Sequence, residues 1–86
     1  MKWQDIRKTY PDTWLLIEAI EAHTENDKRV LDQISVIDRY LDGQTAWQAY
    51  AAAHRENPDR EMFVFHTDRP ELDITIKRWL GLRGIR

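Results

Sequence analysis

The sequence has 86 residues, with 13 basic against 15 acidic side chains, three histidines, four tryptophans and no cysteine. That length supports a single small domain over residues 1–86 with one core, since chains of this size bury only about 60% of the surface they expose when unfolded. The absence of cysteine excludes a disulfide scaffold, a thiolate zinc site and a thiol nucleophile. No apolar run approaches the ~20 residues needed to cross a bilayer. The opening Met1-Lys2-Trp3-Gln4-Asp5 lacks the apolar stretch of a signal peptide, so the expected location is cytoplasmic. Charge is unevenly placed: residues 1–43 carry six Lys/Arg and nine Asp/Glu, residues 44–86 seven and six. The segment 77–86 holds Lys77, Arg78, Arg83 and Arg86 and no acid.

In chain order, Trp3, Ile6 and Tyr10 recur at spacings of three and four, which predicts a short amphipathic helix over 3–9. Pro11 closes it, because the residue before proline is pushed out of helical geometry. Residues 14–23 admit two readings. Their Ala, Leu and Glu content, with Asp12 or Thr13 as a cap, favours helix. As a strand they would set Leu15, Ile17 and Ala19 on one face and Trp14, Leu16 and Ile20 on the other. Residues 29–37 have the β-branched density and polar interruptions of a half-buried strand. Thr24–Lys28 would join the two stretches as an antiparallel hairpin.

The next segment is clearer. Ala46, Trp47, Ala49, Tyr50 and Ala53 share one helical face, with Asp42 as N-cap and Asn57-Pro58 as the stop. This predicts a helix over 44–56 with Trp47 on its buried side. Met62-Phe63-Val64-Phe65-His66 is short and apolar, as expected of a central strand buried on both faces. Leu72, Ile74 and Ile76 then alternate with Asp73, Thr75 and Lys77, a strand pattern reaching Trp79 or Leu80. The rival is a helix from Pro70 to Gly81; the stiff Ile74-Thr75-Ile76 run favours the strand.

The motifs Trp3-Gln4-Asp5-Ile6, Tyr10-Pro11, Trp14-Leu15-Leu16-Ile17-Glu18-Ala19, Val36-Ile37, Asp42-Gly43, Tyr50, His54, Arg60-Glu61-Met62, Phe65-His66-Thr67 and Trp79-Leu80-Gly81-Leu82-Arg83-Gly84 cover nearly the whole chain. On these residues the chain resembles a group of small bacterial proteins, mainly cyanobacterial, that have no assigned function. The resemblance implies strands over 14–23 and 29–38 and implies no activity. The expected fold class is therefore α+β: a short N-terminal helix, a β-hairpin, a helix, then two strands. These would build a three- or four-stranded, mainly antiparallel sheet with one helix packed on one face.

Candidate chemistry is sparse. His23, His54 and His66 lack the tight helical spacing of a zinc signature, and a metal site would need them to converge with Asp68 or Glu61. In His66-Thr67-Asp68 neighbouring side chains diverge, so Thr67 and Asp68 read as turn formers. Glu18, Glu21, Asp32, Asp38 and Asp42 read as solvent-facing acids. Gly81-Leu82-Arg83-Gly84 lacks the Lys-Ser/Thr ending of a phosphate loop. No catalytic residue, metal, cofactor or small-molecule ligand is indicated.

With one helix on one face, the other sheet face would lie bare, and exposed apolar patches mark partner sites. The expected function is a non-enzymatic interaction module. It would self-associate or bind a protein partner through a sheet face or edge carrying Trp14, Leu16, Ile20 and Trp79. The alternative is nucleic-acid binding by Lys77, Arg78, Arg83 and Arg86 around Trp79, the composition of a single-strand platform.

Overall fold

A computed structural model describes residues 1–76. The elements are α1 (Trp3–Thr9), β1 (Trp14–Glu25), β2 (Lys28–Tyr40), α2 (Gly43–Glu56), β3 (Met62–His66) and β4 (Ile74–Thr75). The fold is α+β. Its four strands form one open antiparallel sheet in the order β3-β1-β2-β4.

The β1–β2 hairpin dominates. It closes at Asn26 and Asp27, whose φ angles are 50° and 64°. A two-residue loop with both central residues left-handed is the turn whose twist matches the strands. Asn and Asp accept that conformation better than other side chains bearing a Cβ. The register slips three times. Ile37 is an extra residue of β2 opposite the Leu16/Ile17 step, Ile20 is an extra residue of β1, and Asp32 is an extra residue of β2. Bulges of this kind break the alternation of faces. Ile20, on its bulge and past the reach of α2, stands 60% exposed.

Helices cover the sheet from both sides. On one face α1 seats Trp3 and Ile6 over Leu15, Ile17, Leu31 and Ile34. Burying each aliphatic side chain of this kind contributes about 1.5–3 kcal/mol. The helix is also tied to the connection after β3. The Trp3 indole N–H donates to the Arg69 carbonyl at 2.9 Å, Gln4 Nε2 to that of Pro70 at 2.6 Å and Arg7 Nε to that of Thr67 at 2.9 Å. On the other face α2 sets Ala46 against Leu16, Met62 and Val64. Asp42 caps this helix, its Oδ1 accepting the Thr45 N–H at 2.7 Å. That bond holds the Asp42 carboxyl below the usual carboxylate range.

Three expectations change, and a fourth is met over part of its length. The face opposite α2 is not bare, because the seven residues of α1 and the half-buried Leu72 and Ile74 fill it. The Met62–His66 strand is covered on both faces but lies at the edge of the sheet, with β1 and β2 in the centre. Trp47 is 54% exposed, because Ala46, Ala49 and Ala53 form the close-approach stripe of α2 and displace the indole from it. The last strand pairs over Ile74–Thr75, and its continuation to Trp79 or Leu80 lies outside the described residues.

Candidate interaction surface

The side chains expected at a partner surface separate. Leu16 is 2% exposed and lies beneath α2, so it belongs to the core and offers no surface to a partner. Trp14 is half-buried. Its ring lies against the Cα of Gly43, where an added Cβ would come within 3.1 Å, and edge-on to His66 at 5.1 Å between ring centres. Packing against a glycine at the start of α2 uses up the indole face expected to meet a partner. Ile20 alone of the four is solvent-facing within the described residues. Trp79, Lys77, Arg78, Arg83 and Arg86 lie outside them.

The histidines do not converge. His23 lies on the hairpin, His54 stacks on Tyr50 along α2 at 5.6 Å between ring centres, and His66 ends β3. His66 instead meets Asp12 and Asp68, its Nε2 3.4 Å from Asp12 and its Nδ1 3.8 Å from the Asp68 carboxylate. These three side chains could hold a cation by proximity alone. The proton arrangement argues for another role. His66 Nδ1 accepts the Asp68 backbone N–H at 3.0 Å, which leaves the ring proton on Nε2, pointing at Asp12. Neither nitrogen then offers a free lone pair, and the group acts as a turn cap. Beside it, buried Thr67 accepts the Thr13 N–H on its Oγ1 and returns its own N–H to the Thr13 carbonyl, both at 2.9 Å. The turn-forming role expected for Thr67 and Asp68 takes this form.

Two surfaces remain open. The first is the outer edge of β2. β4 pairs only with Lys28 and Arg29, and Met1 exchanges backbone hydrogen bonds with Ile34. Among the described residues no strand pairs with the edge from Val36 to Tyr40. Beside it stand Ile37, on its bulge, and Leu41, which is 101% exposed. Shallow depressions of about 330 and 360 Å³ follow this edge, one bounded by Tyr10, Val36 and Ile37, the other by Thr13, Tyr40 and Leu41. Neither Ile37 nor Leu41 was among the expected contact residues. Alternation within residues 29–37 counts faces correctly only until a bulge intervenes, and no local signal marks β2 as an edge.

The second is the far half of the hairpin on the α2 side. The cluster under α2 reaches no further along β1 than Leu16. Beyond it Ile20, Glu21, His23 and Glu25 of β1 are exposed and Asp32 of β2 is half-exposed. His23 bridges the acids, with Nδ1 2.7 Å from Asp32 and Nε2 3.3 Å from Glu25. Hydrogen bonds to Asp32 and then Glu25 raise its pKa above the ordinary histidine value. The hairpin's cations are engaged elsewhere. Arg29 grips Glu61 through two bonds of 2.7 Å, crossing β1, and Lys28 pairs with Asp73. Glu18, nearer the base, is held by Arg60 at 2.5 and 3.0 Å.

Comparison with protein-family models, curated proteins and solved structures gave no match, so the functional reading rests on these surfaces. Among the described residues no helix is long and apolar enough to cross a membrane.

Proposed function

We propose that this protein is a non-enzymatic interaction module that pairs with a second copy of itself through the free edge of β2. The observation that carries the reading is the unpaired stretch Val36–Tyr40 with Ile37 and Leu41 exposed beside it. An unpaired strand edge offers a row of N–H and C=O groups, and native sheets usually blunt it by pairing, charge or coverage. An isologous contact about a two-fold axis would pair this edge with its own copy and repeat every backbone hydrogen bond and apolar contact that it makes.

Sedimentation equilibrium over a concentration series tests this. The expected result is a mass rising towards that of a dimer, with Ile37→Lys monomeric at the same concentrations and unchanged in thermal melting. A wild-type protein that stays monomeric at the highest attainable concentration overturns self-association. A dimer indifferent to Ile37→Lys removes the edge as its site.

A further inference from the structure

The far half of the hairpin is a second unpartnered surface, and the chain itself carries a segment of matching chemistry. Glu21, Glu25 and Asp32 surround His23 there, and among the described residues none of the three is ion-paired with Lys or Arg. Ile20 stands exposed beside them. The nearest cations, Lys28 and Arg29, are committed to Asp73 and Glu61. The face is therefore acidic with an apolar centre, which suits a basic segment carrying large apolar side chains.

The chain reaches the hairpin tip as it leaves β4. The Ile76 N–H donates to the Asp27 carbonyl at 2.8 Å, which places residue 76 at the hairpin tip. Residues 77–86 follow directly, with four cations, no acid, and Trp79, Leu80 and Leu82 among them. From the tip back to Glu21 the strand runs about 20 Å at roughly 3.3 Å per residue, and ten extended residues reach about 33 Å. A segment tethered so close acts at an effective concentration on the order of millimolar, so even weak charge pairs hold it in place.

We infer that residues 77–86 dock as a cationic strap on the acidic hairpin face of their own chain, making that face a receptor for basic peptide segments. The contact is separate from the β2 edge and stands whether or not the edge pairs.

The chain contains no cysteine, so Gly84→Cys in the full-length protein gives a single attachment point for a nitroxide. NMR then reads which backbone amides lose intensity near the label. The expected result is selective loss at residues 20–25 and 30–33, recovering as sodium chloride rises to a level that screens the pairs. The double substitution Glu25→Lys and Asp32→Lys should abolish the loss. Reversing Lys77, Arg78, Arg83 and Arg86 to Glu in that background should restore it, which separates a broken contact from a broken fold. Intensity loss spread evenly over the protein, or centred on the β2 edge, overturns the proposal. So does loss that appears only when spin-labelled chains are mixed with unlabelled, isotope-enriched chains, because the strap would then belong to another copy.

Discussion

The two halves of the β1–β2 hairpin are built from one pair of strands and end in opposite states. At the base, Leu15 and Ile17 are fully buried under α1 while Leu16 is buried under α2, so both faces of β1 are core. Past Ala19 the α1 face continues through Ala22 and Leu31, but the other face is left to Ile20, His23 and acids. Hydrophobicity alone does not separate the halves, since Ile20 is as apolar as Ile17. Their difference lies in coverage and in the bulges, which turn Ile20 and Ile37 out of the pleat. An apolar side chain stabilises only where another element comes down upon it.

The sharpest test of the comparison sets Ile17 against Ile20. Ile17→Ala should cost about 2–5 kcal/mol in urea unfolding, the range for opening a cavity at a closed core site. Ile20→Ala should stay within about 0.5 kcal/mol, as for ordinary surface positions. Equal losses at both positions would show that the far face is closed as tightly as the core under α1.

A smaller effect is expected where the base is fastened to β3. Thr67→Val removes the oxygen that accepts the Thr13 N–H and leaves that part-buried donor without its partner, a loss of about 1 kcal/mol. Thr67→Ser keeps the oxygen and should recover most of the stability, as measured by calorimetry.

On the far half the contributions are electrostatic and should follow pH. Hydrogen bonds from Arg29 hold the Glu61 carboxyl below the usual glutamate range. A depressed carboxyl contributes stability above its unfolded pKa, about 4.3, and loses it as pH falls through the folded value. Glu61→Gln should therefore flatten the acid limb of stability, by about 1 kcal/mol after allowing for solvent screening of the partly exposed pair. An unchanged acid limb in the variant would remove this pair from the account.

The smallest effect belongs to His23 and has the opposite sign. Its raised pKa means that its contribution is complete below the unfolded value, about 6.5, and fades as pH rises through the folded one. Asp32→Asn should move the imidazole titration, followed by NMR, back towards the ordinary histidine value. A titration that does not move would show that the 2.7 Å contact to Asp32 is not kept in solution.

Much of the fold was legible locally. The helix over 3–9, the Asp42 cap and the Asn57-Pro58 stop are set by residues a few positions apart, and each appears where its chemistry requires. Residues 14–23 were not decided by propensity, since Leu, Ala and Glu accept helix as readily as strand. Pairing with β2 on one side and β3 on the other resolved them. The candidate surface was read least well. Ile20 was found because alternation pointed to it, whereas Leu16 and Trp14 were lost to α2, which packs over them from 30 residues further along the chain. Ile37 and Leu41 became visible only once β2 was seen to lie beside the two-residue strand β4.

By itself the sequence determined a cysteine-free chain, the places where its two helices start and stop, and an acidic first half set against four cations in 77–86. These depend on composition and on neighbours within a turn or two. Only the tertiary structure decided that α1 closes the face expected to be bare, that β3 lies at an edge, and that the open surfaces are the β2 edge and the far hairpin face. Coverage is a relation between segments far apart in the chain. It is fixed by bulges, by the hydrogen bonds from α1 to residues 67–70 and by the reach of α2, which local patterning does not encode.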